Sequence, residues 1–184
     1  MGLTCLDFGH YGVDQAGILD PGAVGPRGNR EADVVTGIGL KLQVMLEAAG
    51  ERIILTRLQP SLEADNLSWR AAVANTAGAD IFVSIHADSF HLPTAQGTTT
   101  YFAGPGGQML AQYIQPAMVA ALGRYDRGIR FAGYQVLRET AMPAVLVECA
   151  FLSNPEDEEI LASEEGQQLE ALGLHNGIMA WYGR

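Results

Sequence analysis

The segment ADIFVSIHAD, residues 79–88, predicts the centre of the fold. It contains an apolar run at 81–85, interrupted only by Ser84, that is typical of a central strand buried on both faces. Similar runs alternate along the chain with segments of helical periodicity. The sequence therefore predicts a single α/β domain, with a mostly parallel central sheet of about six strands and helices on both faces.

Apolar runs predict the other strands, and apolar residues at helical spacing predict the helices. Strands are expected at Leu3–Phe8, 52–56, 81–85, Thr98–Phe102, 135–138 and 144–147. Helices are expected at 31–49, 67–76, 108–122 and Glu164–Trp181, together with a short acidic helix that Asn154 caps. Pro116 predicts a kink or a break in the helix at 108–122.

Four polar residues lie where predicted strands end or a predicted helix begins: His10, Glu31, His86 and Glu148. In an open α/β sheet, the carboxyl ends of the strands and the first turns of the helices line one shared crevice. Two imidazoles and a carboxylate in that crevice can bind zinc and leave the fourth position to water, which is the pattern of a catalytic site. A further glutamate can then serve as the general base.

The residue pattern alone leaves two of these roles open. Glu31 also suits the first turn of a helix for electrostatic reasons, and Asp14, Asp20 and Asp33 are alternatives for the third ligand. Glu148 has a structural alternative as well, because a buried carboxylate can be held in a salt bridge, for example with Arg138.

Several segments resemble the zinc-dependent N-acetylmuramoyl-L-alanine amidases of the amidase 3 family, in order and spacing, over residues 3–181. They are LDFGH, DPG at 20–22, NREAD, LTR at 55–57, ADIFVSIHAD and PAVLVECAFLSNPED, of which SIHAD and the VE-x-x-F-L-S-N-P stretch are the most specific. The resemblance implies that His10, Glu31 and His86 ligate one Zn²⁺ ion per chain. It also implies that Glu148 is the catalytic acid/base.

The chain departs from the family pattern at three places, none of which removes a ligand. Tyr11 stands where a second glycine usually follows the first histidine, and Cys149 stands where a glycine is common. The segment between His10 and the DPG turn is longer than usual, and we expect it to form one wall of the site. Residues 102–108 are too few for the regulatory helix that covers the groove in some family members, which predicts an open groove.

The implied reaction is hydrolysis of the amide bond between N-acetylmuramic acid and the L-alanine of the peptidoglycan stem peptide, with residues 1–184 as one catalytic domain. Arg138 is a candidate for binding a substrate carboxylate or lactyl oxygen, and Asp88 is a candidate for orienting His86 or contacting substrate. The alternatives are another zinc peptidase on a related scaffold and a catalytically silent wall-binding module. The silent module should have lost a ligand or the catalytic glutamate.

Composition argues against other classes of protein. The net charge is −10 with Lys41 as the single lysine, so a nucleic-acid partner is not expected. No apolar run of about 18 residues exists, so no membrane span is expected. The first residues carry no secretory signal. An enzyme that acts on the cell wall works outside the cytoplasm, so we expect this chain either to be truncated from a larger exported protein or to be released by phage-driven lysis. We also expect it to be a monomer.

Two further features have structural interpretations. A run of acidic residues is expected to form a solvated helix face, namely Glu156, Asp157, Glu158, Glu159, Glu164 and Glu165. The two cysteines, Cys5 and Cys149, are expected to be buried thiols, with a disulfide between neighbouring strands as the alternative.

Overall fold

Six strands form one sheet in the computed structural model, which describes residues 1–14, 16–63 and 66–184. The strands are β1 (Leu3–Phe8), β2 (Arg52–Leu55), β3 (Ile81–Asp88), β4 (Thr98–Phe102), β5 (Asp126–Phe131) and β6 (Ala144–Phe151). The helices are α1 (Glu31–Ala48), α2 (Leu67–Ala77), α3 (Pro105–Leu122), α4 (Gln135–Glu139), α5 (Pro155–Ala162) and α6 (Glu164–Trp181). The predicted α/β class and strand number are confirmed.

The strand order is β2-β1-β3-β6-β4-β5. The first four of these strands are parallel, β4 runs antiparallel to β6, and β5 runs parallel to β4. The carboxyl ends of β1, β3 and β6 therefore meet at one edge in the middle of the sheet. This edge is where ligands bind in open α/β folds.

Helices cover both faces of the sheet. One face packs against α1, α3 and α6, and the other packs against α2 and α4. Successive side chains of β6 point to opposite faces of the sheet. Val145 and Val147 therefore belong to the core on the first face, and Ala144 and Leu146 belong to the core on the second. None of the described helices is long and apolar enough to cross a membrane.

Three element predictions were wrong in part. Residues 135–138 form helix α4 instead of a strand, because Val136 and Leu137 are buried together on a short helix that packs against α2. The sixth strand is β5, which was not predicted because its sequence, DRGIRF, is polar and contains a glycine. Helix α3 continues through Pro116 without the predicted break, and the proline lies on the exposed side of the helix.

The acidic run is also not wholly a solvated face. Asp157 and Glu158 are fully buried, whereas the other four members are exposed. Asp157 accepts the N–H groups of Gly97 and Phe151 at 3.0 Å, and the two oxygens of Glu158 share the single backbone N–H of Arg27 at 3.0 and 3.1 Å. Backbone donors of this kind make the burial of a carboxylate tolerable. Both cysteines are buried and free, as predicted.

Candidate active site

His10, Glu31 and His86 converge at the carboxyl edge of the sheet. One ligand atom from each lies within 4.8 Å of the others. Nε2 of His10 is 3.0 Å from one Glu31 oxygen, and Nδ1 of His86 is 2.9 Å from the other. Two imidazoles and a carboxylate that meet in this way could hold a metal ion.

The three aspartates considered for the third ligand have other contacts. Asp20 lies 2.8 Å from Nδ1 of His10, on the side of the ring away from Glu31. Asp33 accepts the Tyr11 hydroxyl at 2.5 Å, and Asp14 accepts backbone N–H groups within its own loop. Asp20 is therefore suited to orient His10, as carboxylates do behind histidine ligands.

His86 and Glu148 owe their proximity to strand register. They face each other as paired residues of β3 and β6, so their side chains lie on the same face of the sheet. Both strands continue beyond the apolar runs that predicted them, and both residues lie within a strand instead of after one. The register shifts just after His86, which marks the edge of the site.

His10 leaves β1 through an unusual backbone conformation. His10 and Tyr11 have φ values of 59° and 63°, the left-handed region that non-glycine residues rarely adopt. Arg57 donates to the Phe8 carbonyl at 2.7 Å and to the Gly9 carbonyl at 2.5 Å. Arg70 donates to the His10 carbonyl at 2.5 Å. Strain of this kind persists only where surrounding contacts fix it.

The sequence analysis did not single out these two arginines, which hold the backbone around His10. Arg70 also forms an ion pair with Asp7 at 2.7 Å, with both side chains buried. Burial and the nearby charge of Arg70 lower the pKa of Arg57 to about 10. The available signals were Arg57 in LTR and Asp7 in LDFGH, which were used only as marks of resemblance.

Two glycines leave room for the converging side chains. A Cβ on Gly9 would lie 2.4 Å from the His86 ring. A Cβ on Gly22 would lie 2.6 Å from the His10 ring and 2.7 Å from a Glu31 oxygen, and Gly22 has a φ of 66°. The DPG turn is therefore in direct contact with two of the three candidate ligands.

The surroundings of Glu31 favour its negatively charged form. Its oxygens accept the N–H groups of Ala23 at 2.9 Å and Ala87 at 3.0 Å, besides contacting both imidazoles. Burial would raise the pKa of Glu31, but the hydrogen bonds and charges of His10 and His86 hold that pKa far below its usual range. The pKa of His10 is raised, because Glu31 and Asp20 outweigh the opposing effect of burial.

Glu148 has the opposite electrostatic setting. Its Oε2 is buried and has no hydrogen-bond partner among the described residues. Burial, followed by the negative charges of Asp88 and Glu31, raises the pKa of Glu148 well above its usual value. A raised pKa suits a carboxyl group to take up a proton and to pass it on.

Arg138 does not provide the salt bridge that was considered for Glu148. It is exposed on α4 and lines a separate cleft of about 370 Å³ beside the first turn of α3. The prediction that it lies on a strand was therefore wrong. The physical reason is the helix at α4, which turns Arg138 to a different surface.

The candidate site opens into a groove of about 540 Å³. Asp20 and Ala23 of the long loop line one wall, as expected, and Leu67, Tyr134 and Gln135 line another. Asp88 also lines the groove, but it does not orient His86, whose Nδ1 contacts Glu31. Asp88 instead accepts the N–H of Ser89 at 2.7 Å, and burial raises the pKa of Asp88.

Comparisons with known proteins agree with this geometry. A family model described as N-acetylmuramoyl-L-alanine amidase matches residues 4–180. The N-acetylmuramoyl-L-alanine amidase LytC of Bacillus subtilis is 33% identical over 181 residues, which cover 96% of this chain and 35% of LytC. The uncharacterised protein YqiI of the same organism is 35% identical over 181 residues, which cover 96% of this chain and 83% of YqiI. The chain thus spans about a third of LytC.

Two solved structures have closely similar folds. The catalytic domain of CwlV, an N-acetylmuramoyl-L-alanine amidase from Bacillus (Paenibacillus) polymyxa var. colistinus, has a TM-score of 0.90 and 34% identity, covering 100% of this chain and 99% of that one. The N-acetylmuramoyl-L-alanine amidase AmiC2 of Nostoc punctiforme has a TM-score of 0.90 and 33% identity, covering 99% and 97%.

Proposed function

This chain belongs to the N-acetylmuramoyl-L-alanine amidase family of the amidase 3 type, and from that premise we propose the reaction it catalyses. Residues 1–184 form one catalytic domain that hydrolyses the amide bond between N-acetylmuramic acid and the L-alanine of the peptidoglycan stem peptide. The observation that carries this proposal is the convergence of His10, Glu31 and His86 beside the unpartnered carboxyl oxygen of Glu148.

We infer that the metal at this site is zinc, one ion per chain. The donor set of two imidazoles and one carboxylate is a common catalytic zinc set, and it leaves one position free. The fit is supported by Gly9 and Gly22, which keep the space around the ligands clear. When bound, zinc would act as a Lewis acid on the scissile carbonyl and make water a better nucleophile.

Glu148 then has the role of general base and acid. Its carboxyl group, which lines the groove, takes the proton of the attacking water and returns it to the departing alanine amine. The raised pKa of Glu148 suits both steps, because the proton is held strongly enough to be taken and can still be passed on. Asp20 keeps His10 in position, and Asp88 offers an acceptor to the peptide in the groove.

The proposed substrate also determines where the enzyme acts. Peptidoglycan lies outside the cytoplasmic membrane, so we propose that the domain acts there, as a monomer and without an activating partner. The open groove supports the last point, since its walls leave access to Glu148 and the candidate ligands.

The test is digestion of purified cell wall by the zinc-loaded chain, with the products identified by mass spectrometry. We expect intact stem peptides with a free N-terminal alanine, and glycan strands that keep the lactyl group of each muramic acid. Peptides cut between their own residues would instead indicate a zinc peptidase. Intact wall after digestion, at full zinc occupancy, would rule out the proposed reaction.

A further inference from the structure

Two arginines on the edge strand β5 extend the groove face of the sheet. Arg130 pairs in register with Tyr101 of β4, and Thr99 of β4 pairs with Glu148 of β6. Paired residues and alternate residues of a strand share one face of a sheet. Arg130 is therefore on the same face as Glu148. The Tyr101 ring contacts the ring of Tyr134, which itself lines the groove, with 5.4 Å between their centres.

Arg127 reaches the same face by a second route. Its guanidinium carbon lies 4.8 Å from the centre of the Phe151 ring. Phe151 pairs in register with Asp88, which lines the groove. The pairing of β4 with β5 is irregular near this point, and Gly128, with a φ of 78°, accommodates the irregularity. The guanidinium also donates to the Gln96 carbonyl at 3.3 Å.

Both charges are available to a ligand. In the part of the chain that the structure describes, the ion pairs within 4 Å use other cations, among them Arg27, Arg70 and Arg124. The polar contacts of Arg127 and Arg130 are made to backbone carbonyls, Gln96 and Arg127 respectively. In a chain with a net charge of −10, two such cations beside a groove form a local site for anions.

On the loop side of the groove, Asp20 is exposed and lines the groove. An anionic group of the substrate is therefore disfavoured beside Asp20 and favoured beside β5. Asp88 lies between the two sides, and with Oδ1 bonded to the Ser89 N–H it keeps Oδ2 as an acceptor for a peptide N–H.

We propose that Arg127 and Arg130 form a subsite for a free carboxylate of the stem peptide. The peptide then runs from the scissile bond towards β5, and guanidinium groups bind its carboxylate by charge-assisted hydrogen bonds. The second residue of the stem peptide is a glutamyl unit linked through its γ-carboxyl, and its α-carboxylate is free in some walls and amidated in others. This inference rests on the proposed function, and it makes the enzyme selective for walls with the free acid.

The test compares two muramoyl-L-alanyl peptides in which the γ-carboxyl of the second residue is blocked as an amide, as it is in the stem peptide. They differ only in the α-carboxyl of that residue, which is free in one (D-glutamate) and amidated in the other (D-isoglutamine). We expect the unaltered enzyme to favour the acid in kcat/KM by about tenfold, the scale of one charge-assisted hydrogen bond. The double change Arg127→Gln and Arg130→Gln should bring the ratio close to one. Arg52→Gln, an exposed arginine on the opposite edge strand β2, is the control and should keep the ratio.

A binding measurement separates this inference from the proposed function. NMR titration with the corresponding L-alanyl-D-glutamate and L-alanyl-D-isoglutamine, both blocked at the γ-carboxyl as an amide, reports the same preference in zinc-free protein, without catalysis. Equal cleavage and equal binding of the two peptides by the unaltered enzyme would overturn the subsite and leave the amidase proposal intact. If neither muramoyl peptide is cleaved but the acid still binds tighter, and the double variant loses that preference, the subsite holds and the amidase proposal fails.

Discussion

The two halves of the candidate active site are held in different ways. The strand half, His86 and Glu148, lies on paired positions of β3 and β6, whose register is set by buried apolar neighbours on both faces. The loop half, His10 and Glu31, is joined by an irregular segment that begins in a left-handed backbone conformation. Its geometry depends on a few polar contacts and on the absence of side chains at particular glycines. A substitution in the strand half should therefore remove its chemical function and leave its geometry intact. A substitution in the loop half should disturb geometry and function together.

The largest expected effect tests the strand half. Glu148→Gln keeps the shape of the side chain and removes its ability to exchange a proton, so we expect turnover to fall about 100-fold or more. Zinc affinity and melting temperature should stay close to those of the unaltered protein, because β3 and β6 keep their register. Turnover, metal content and thermal unfolding are measured on the same preparation. Near-normal turnover would falsify the proton-transfer role.

The next effect tests the loop half with a matched pair of glycines. Gly22→Ala forces a Cβ against His10 and Glu31, and Gly17→Ala adds one at a similar φ of 77° with nothing within 4 Å. Both variants carry backbone strain, but only the first displaces candidate ligands. We expect Gly22→Ala to weaken zinc binding about 10- to 100-fold, the range seen when groups that support metal ligands are altered.

Zinc affinity is measured by competition with a chelator, and the unfolding free energy of each variant is measured alongside it. Gly17→Ala should lose stability without a matching loss in affinity. Equal affinities in the two variants would mean that Gly22 does not shape the metal site.

A third prediction concerns how the loop is anchored to the rest of the fold. Glu158 is buried and accepts from the N–H of Arg27 and from Nδ2 of Asn29 at 2.9 Å, just before Glu31. Glu158→Gln should cost about 1–3 kcal/mol of unfolding free energy, since donors are left without their charged acceptor. It should also weaken zinc binding, because the loop half depends on this anchor.

The control is the neighbouring residue on the same helix. Glu159 is exposed and makes a surface ion pair with Arg27 at 3.3 Å, so Glu159→Gln should change stability by no more than about 0.5 kcal/mol. Denaturant unfolding of the two variants, with and without zinc, gives both quantities. Identical behaviour of the two variants would show that the loop is not held by α5.

The difference between the halves also explains what the sequence could predict. His86 and Glu148 follow apolar runs, so the local sequence pattern predicts their position at the edge of the sheet. The roles of Arg57 and Arg70 could not be found in this way, because each binds backbone carbonyls of a distant segment. Buried Glu158 and exposed Glu159 are likewise indistinguishable in a run of acidic residues.

The short elements beyond the site show the same limit. Helix α4 has only five residues, too few for helical and strand periodicity to be told apart, and it was predicted as a strand. Strand β5 is an edge strand with one neighbour, so it lacks the continuous apolar run of β3. Both were decided by tertiary packing, and Arg127 and Arg130 on β5 became visible as candidate ligand-binding residues only once that strand was known.

The smallest effect concerns the strained start of the loop half, at Tyr11. A left-handed conformation costs a residue with a Cβ about 1–2 kcal/mol, and glycine avoids that cost. Tyr11 retains the conformation here with a hydroxyl bond to Asp33 at 2.5 Å and a ring contact with Arg57, whose guanidinium carbon lies 5.1 Å from the ring centre. Tyr11→Gly and Tyr11→Ala both lose these contacts, but only alanine keeps the strain. We therefore expect the glycine variant to be more stable than the alanine variant by about 1 kcal/mol, the reverse of their usual order in regular structure. Chemical denaturation of the two variants measures this difference, and an alanine variant as stable as the glycine variant would mean that the backbone at Tyr11 relaxes out of the left-handed region once the ring is gone.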